Sequence, residues 1–391
     1  MSLVYPPQEV DVEKRQDGTL ILRSPMKLGE CEVNVGNRFK KTCEKFPDTI
    51  WLAEKEGSEW LTISYKEAYS KVNSIGQYLF NSGLTQDRGI MILSGNSINH
   101  GLLNLAGLCL GVPVAPISVA YSLISSDFAK LKHCFNLVGP GLIYVEDGMQ
   151  FQNALESLPL DNVIIVCSKN PALLKNNNKM ILYKDIISTV LESSLQEKYD
   201  QVTPEYIAKY LFTSGSTGMP KGVINTQKML CVNMQQAEQI RPSEFDQNIV
   251  LDWLPWNHTM GGNYSFNGIF WNGGTMYIDG GKPVPSLFQT TVNNLKDVSP
   301  TYYGSVPAGL AMLLENLKLD VDLRKAFFKN LIYIAYGGAS LPPEVWYGIR
   351  DLAKETTGND IELACGWGAT ETAPLATSTY FKLDKPGNIG L

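Results

Sequence analysis

The chain has 391 residues, 44% hydrophobic and 18% charged, with a net charge of -6. That is the composition of a folded globular protein with too many residues for one small core, so two or three packed subdomains are expected. Its 33 basic residues form no block against 39 acidic ones, which argues against a nucleic-acid partner. The 7 cysteines (Cys31, Cys43, Cys109, Cys134, Cys167, Cys231, Cys365) are scattered without a C-x-x-C, and the 3 histidines are His100, His133 and His258. This pattern points to reduced thiols in a cytoplasmic setting and away from a zinc or histidine-rich metal centre.

Taken in chain order, residues 1–30 are polar, contain prolines, show no signal-peptide pattern and read as an irregular arm. Residues 61–65 read as a strand. Residues 66–81 read as a helix, with Ala68, Val72, Ile75 and Leu79 at helical spacing and Asn81-Ser82-Gly83 as its stop. No charged residue occurs between Arg88 and Asp127. A membrane-spanning helix needs about 20 mainly apolar residues. Here Asn96, Asn99, His100, Asn104, Gly111, Pro113 and Pro116 interrupt the run, so it reads as a buried strand, helix and strand over 89–93, 98–110 and 112–117. A helix over 127–137 and strands over 142–145 and 163–167 continue the alternation expected of a parallel, doubly wound sheet. Residues 171–200, with KNNNK, read as a surface excursion. After a strand over 206–212 come a helix over 226–239, a strand over 249–254 and a helical stretch over 262–271. Strands over 275–278, 301–303, 331–336 and 361–364 then suggest a second α/β unit.

The stretch LFTSGSTGMPKGV, from Leu211 to Val223, follows the strand over 206–212. Gly215 and Gly218 let backbone N–H groups approach a ligand, and successive N–H groups in such a turn form an anion site. Thr213, Ser214, Ser216 and Thr217 add hydroxyl donors, and Lys221 adds a positive charge. A triphosphate is the natural guest. The G-x-x-x-x-G-K-[ST] pattern of nucleotide hydrolases is not met, because Gly222 follows Lys221. A flexible Ser/Gly linker would not be fused to an apolar strand or end in Pro-Lys-Gly-Val.

Two further strings follow strands. Tyr336-Gly337-Gly338-Ala339-Ser340-Leu341 precedes a helix start with proline in its first turn. Read alone, it is equally a plain turn or a bare backbone shelf for a flat ring. Cys365-Gly366-Trp367-Gly368-Ala369-Thr370-Glu371-Thr372 offers an aromatic face, a hydroxyl and a carboxylate, the last suited to a hard cation such as magnesium. Read alone, Trp367 fits a core residue.

In order and spacing, these three strings resemble those of the acyl-adenylating (AMP-binding) enzymes: acyl-CoA synthetases, luciferases and peptide-synthetase adenylation domains. The resemblance implies that Thr213, Ser214, Gly215, Ser216, Thr217, Gly218 and Lys221 hold the β- and γ-phosphates of ATP. It places Gly337, Gly338 and Ala339 along the adenine, with Trp367, beside Gly368, stacked on it. Thr370 would contact the α-phosphate, and Glu371 with Thr217 would hold magnesium. The segment DWLPWNHTMGGNYSFNGIFWNGGTMYIDGGKP, with SPTYYGSVP and GATETAP, resembles the feruloyl-CoA synthase branch. By that resemblance His258 lies beside the acyl carboxylate, and Trp256, Met260, Gly262, Asn263, Ser305 and Val306 wall the acyl pocket.

The resemblance runs from residue 39 to residue 391. It implies an α/β fold: two doubly wound α/β subdomains plus an incomplete small β-barrel, the acyl-CoA synthetase-like large N-terminal domain occupying 1–391. The family's ribose-binding aspartate, hinge and C-terminal lysine domain would lie beyond Leu391. On this reading the stretch alone binds nucleotide and is a poor catalyst. The implied activity is ATP-dependent activation of a carboxylic acid, aromatic and ferulate-like, to an acyl-adenylate and then an acyl-CoA thioester. Its small-molecule partners would be the acid, ATP with Mg2+, and coenzyme A. The alternatives are a non-catalytic ATP- or acid-binding module and a fatty-acyl-CoA ligase. A G-x-S-x-G hydrolase lacks its motif.

Overall fold

The computed structural model describes residues 5–175, 179–213, 218–240 and 247–391. The chain divides into two compact units. One comprises Met1–Cys31, Val232–Trp253 and Gly274–Leu391, and the other Glu32–Cys231 with Leu254–Gly273. We call them the four-stranded and the seven-stranded unit, after their largest parallel-rich sheets.

The arm read as irregular contains a hairpin of β1 (Asp11–Lys14) and β2 (Leu20–Arg23). Its turn is made by Asp17, whose Oδ1 accepts the Thr19 amide at 2.9 Å, and by Gly18 at φ 87°. Seven of the hairpin's eight strand residues are exposed, so no apolar alternation marks it in the sequence.

The seven-stranded unit opens with the helix Val35–Lys45, followed by the antiparallel pair β3 (Ile50–Glu56) and β4 (Glu59–Ser64). The helix Tyr65–Asn81 starts on a capping box. Ser64 Oγ accepts the Glu67 amide, and Glu67 Oε2 accepts the Ser64 amide at 2.9 Å. Ala68, Val72, Ile75 and Leu79 are all fully buried, as their spacing predicts. The helix packs on Ile98–Leu110, which is buried all round, as expected of a helix apolar on every face. Among the described residues no helix is long and apolar enough to cross a membrane.

The sheet itself comprises β5 (Ile90–Ile92), β6 (Val114–Pro116), β7 (Leu142–Asp147), β8 (Ile164–Lys169), β9 (Met180–Leu182), β10 (Ile207–Thr213) and β11 (Lys221–Thr226). The spatial order is β11-β10-β6-β5-β7-β8-β9, all parallel except β11, which runs antiparallel to β10. Met91, Leu93, Ile117, Leu131, Ile143, Val145, Leu155 and Ile165 form one core layer, each at most 1% exposed. Burying a side chain of this kind contributes about 1.5–3 kcal/mol. The supposed surface excursion over 171–200 is partly built in. Strand β9 pairs with β8, and Tyr183, Ile186 and Leu195 of the following short helices are buried. Its apolar runs, such as Met180-Ile181-Leu182, are short and lie beside the polar KNNNK, so the sequence pattern reads as loop.

In the four-stranded unit β12 (Ile249–Asp252) pairs in parallel with β13 (Thr275–Ile278). The strands β14 (Tyr302–Ser305), β15 (Tyr333–Tyr336) and β16 (Glu362–Gly368) form a second parallel set, and β17 (Leu375–Ser378) returns antiparallel to β16. The helices Pro307–Leu319 and Pro343–Thr357 begin with proline in the first turn, and Gly358 ends the second at φ 77°. At the place of the expected incomplete barrel, Leu391 pairs with Ser378 through backbone bonds of 3.2 and 3.3 Å. Among the described residues no barrel closes.

Candidate functional site

In the four-stranded unit the register aligns Ser305 with Tyr336 and Tyr336 with Cys365. The carboxyl ends of β14, β15 and β16 therefore lie side by side, where open parallel sheets bind their ligands. Ser305 ends β14, is fully buried, and lies 3.5 Å from Trp253 Nε1. Val306 follows it as the N-cap of Pro307–Leu319. Gly337, Gly338 and Ala339 follow β15, with Gly338 at φ 85° and both Gly338 and Ala339 exposed. Trp367 on β16 is 54% exposed. Its size alone would place it in a core, yet its ring lies at the surface.

The turn after β16 is tightly held. Gly368 faces the Pro374 carbonyl so closely that a Cβ there would overlap it. The Ala369 amide donates to Pro374 O at 3.1 Å and to Thr372 Oγ1 at 2.9 Å. Thr370–Thr372 forms a single 3-10 turn, which buries Thr370 and exposes Glu371. Asn233, buried on the helix Gln227–Gln239, fastens this turn: its Nδ2 donates to Thr372 O at 3.1 Å and to Leu375 O at 2.8 Å.

In the seven-stranded unit β10 and β11 form the hairpin that carries the phosphate-loop string. Thr213 and Lys221 are paired in register at its mouth. Ser214, Gly215, Ser216 and Thr217 lie outside the described residues. Gly218 adopts φ 85°, and Lys221 is exposed. His133 Nε2 lies 2.9 Å from Pro220 O and anchors the returning limb.

The histidine segment belongs to the same unit. The stretch expected to be helical over 262–271 is helical, beginning as a π-helical turn, Met260–Ser265, and continuing as the α-helix Phe266–Trp271. Gly262 is needed there because a Cβ would overlap the Trp256 carbonyl oxygen. The Met260 amide donates to His258 Nδ1 at 3.3 Å, which makes Nδ1 an acceptor and leaves the neutral ring's proton on Nε2. Desolvation lowers the His258 pKa below its ordinary value and so favours that neutral ring. Trp256 is 2% exposed, with its ring against His100 and Phe266 at centroid distances of 5.0 and 4.6 Å. Asn263 is fully buried and donates from Nδ2 to Asn225 Oδ1 at 2.8 Å and to Thr259 Oγ1 at 3.2 Å.

Lys209, in the middle of β10, is 1% exposed, and its Nζ donates to Gly262 O at 2.7 Å. Burial lowers its pKa to about 7. Sequence reasoning missed Lys209, Asn225, His133 and Asn233. Only Lys209 left a trace, as the one charge in the apolar run 206–212.

The chain matches the family described as AMP-binding enzyme over residues 39–391. Among curated proteins it is 27% identical to a long-chain-fatty-acid–CoA ligase of Homo sapiens, over 90% of this chain and 48% of that protein. It is 25% identical to the luciferin 4-monooxygenase of Nipponoluciola cruciata, over 92% of this chain and 63% of that protein. The chain thus spans about half the length of the curated relatives it matches first. Among solved structures, acetoacetyl-CoA synthetase from Streptomyces lividans superposes with a TM-score of 0.73 at 16% identity, over 91% of this chain and 54% of that one. ATP-bound MatB from Rhodopseudomonas palustris superposes with a TM-score of 0.65 at 19% identity, over 91% and 64%. At these identities the likeness concerns the fold.

Proposed function

Because this chain belongs to the AMP-binding enzyme family, we propose that it carries the ATP and acid sites of an enzyme that activates a carboxylic acid and passes it to coenzyme A. The carboxylate attacks the α-phosphorus of ATP, pyrophosphate leaves, and the coenzyme A thiol then displaces AMP from the acyl-adenylate. The chemistry needs no protein nucleophile, so the residues act by positioning and by stabilising phosphate charge. The observation that carries this reading is the alignment of three strand ends. Val306 follows β14, Gly337 to Ala339 follow β15, and Trp367 to Glu371 span the end of β16 and its turn, the three strands being parallel neighbours in register.

In this reading the edge of the four-stranded unit takes the nucleoside end of ATP. Trp367 offers its exposed ring to adenine, the backbone of Gly337, Gly338 and Ala339 lines the base, and Thr370 meets the α-phosphate. The hairpin of the seven-stranded unit, from Thr213 to Lys221, takes the β- and γ-phosphates. Among the described residues no group of three or more His, Cys, Asp or Glu side chains could hold a metal by itself. Glu371 is the one carboxylate of its turn and is exposed. It suits a magnesium ion that draws its other oxygens from phosphate and water, with Thr217 as a further ligand. Such an ion would neutralise the phosphate charge. His258, neutral with Nε2–H free to donate, would orient the acid's carboxylate. The seven free cysteines support a reducing, cytoplasmic setting.

For the acid we propose a planar aromatic acrylic acid, with Trp256, Met260, Gly262 and Asn263 as its candidate contacts in the seven-stranded unit and Ser305 and Val306 as those in the four-stranded unit. The resemblance around Trp253 and the buried polar groups near Asn263 support this choice. A fatty acid is the second reading, favoured by the names of the curated relatives. Thermal shift with ferulate, coumarate and a long-chain acid, each with ATP and magnesium, separates the two. A shift with the fatty acid alone rejects the aromatic assignment.

A further inference from the structure

We propose that Lys209 and Asn225 form a buried clamp that sets the His258 turn in place from the two strands carrying the phosphate loop, acting as positioning residues for adenylation. The inference rests on the functional reading above and concerns only the seven-stranded unit.

Lys209 on β10 and Asn225 on β11 are register partners, so their side chains leave the hairpin on the same face. Both reach the same π-turn. Lys209 Nζ donates to Gly262 O, and Asn225 Oδ1 accepts from Asn263 Nδ2. The two bonds grip consecutive residues of one turn. Gly262 is tied in its turn to His258, whose carbonyl accepts the Gly262 amide at 2.7 Å. A shift of the turn therefore carries to the histidine. The chain on the far side of the clamp runs from Thr213 to Lys221, so the same two strands end in the phosphate-binding string.

A lysine is almost never fully buried unless paired. Among the described residues no carboxylate forms an ion pair with Lys209, and its close polar partner is the Gly262 carbonyl. The face of Phe266 lies 5.6 Å from Nζ. An apolar side chain of equal length would fill this place without the desolvation that the amine suffers. A π-turn is also a strained way to continue a helix, and such turns gather at functional sites. A buried amine holding the carbonyl of a π-turn is thus a local departure from fold economy, of the kind expected where geometry serves a reaction.

The test uses Lys209→Met, Asn225→Leu and the double variant, in the chain and in the protein extended past Leu391. Acid-dependent pyrophosphate release gives kcat and KM, and hydrogen exchange reports residues 258–265. Displacement of reacting groups by a fraction of an ångström to 1 Å predicts a loss in kcat of roughly 10–100-fold in Lys209→Met. The KM for ATP should stay within about twofold, because the clamp does not touch the nucleotide site. Exchange should rise in 258–265 and stay unchanged in the helix Tyr65–Asn81. The double variant should lose little beyond the worse single one, as residues of one device do. Unchanged kcat, parallel losses of kcat and ATP affinity, or additive losses would each overturn the clamp. If the parent protein releases no pyrophosphate with any acid, the functional reading has failed. The clamp is then decided by exchange alone, with unchanged protection at 258–265 counting against it.

Discussion

Replacing Lys209 by methionine should make stability cross over with pH. Burial lowers this amine from its ordinary 10.5 to about 7. Between those values the unfolded chain binds a proton that the folded chain does not, so stability rises as pH climbs through the window. A window of about 3.5 in pH, at roughly 1.36 kcal/mol for each, bounds the effect at about 5 kcal/mol. Near pH 7 nearly all of that burden is present, and methionine removes it. Methionine also loses the bond to Gly262 O, and a carbonyl left unsatisfied in the interior costs about 1–3 kcal/mol. The variant should therefore be more stable than the parent near pH 7, by about 2 kcal/mol, and no more stable, or less so, near pH 10. His100, the neighbouring titratable ring, is pushed down to about 4 by burial and stays neutral across this range. Tyrosines and cysteines titrate in both proteins and cancel in the difference. Urea unfolding midpoints at four pH values between 7 and 10 give the readout. A difference between parent and variant that does not change with pH would refute the buried, proton-poor amine.

The other expectations concern each unit by itself. Lys221→Ala should weaken ATP binding by roughly 10–100-fold, the loss of one charge-assisted contact, and leave AMP binding nearly unchanged. Equal losses for both nucleotides in calorimetry would remove Lys221 from the phosphate site. Glu371→Gln keeps the side chain's size and should abolish most of the magnesium dependence of ATP affinity; the same magnesium titration curve in parent and variant would place the ion elsewhere. Gly262→Ala forces a Cβ onto the Trp256 carbonyl and should lower stability by about 1–3 kcal/mol, read as a fall in the urea midpoint. An unaltered midpoint would mean that the π-turn is free to relax.

Much of this fold is legible where periodicity and punctuation agree. The helix Tyr65–Asn81 shows four buried residues at helical spacing behind a Ser64/Glu67 capping box. The uncharged run after Arg88 resolves into β5, a buried helix and β6 because Ser94 to Ser97 and Gly111 to Pro113 fall between elements. The exposed hairpin of β1 and β2 is not legible, since its strands are only four residues long and its apolar residues Val12, Leu20 and Leu22 stay exposed instead of facing a core. Strand β11 was hidden because Lys221 to Thr226 is half exposed at a sheet edge, and only its pairing with β10 marks it. The π-turn is invisible because its sequence keeps helical spacing, while the insertion depends on where Gly262 meets Trp256. For the proposed site, a dense cluster of glycines, hydroxyls and a lysine makes a phosphate loop a local expectation. The residues that hold such strings in place do not announce themselves. Asn233 acts 139 residues away from Thr372, and Lys209 53 residues from Gly262. Such contacts arise from the tertiary fold and leave no local pattern.

The central claim, adenylation of a carboxylic acid, is tested most directly by exchange of labelled pyrophosphate into ATP. The assay is run with a panel of aromatic and aliphatic acids, on this chain and on the protein extended past Leu391. The account predicts exchange that requires magnesium and a carboxylic acid, is strongest with a ferulate-like acid, and is reduced in Lys209→Met. Exchange absent from both forms with every acid, or ATP split to ADP and phosphate without regard to acid, would contradict it.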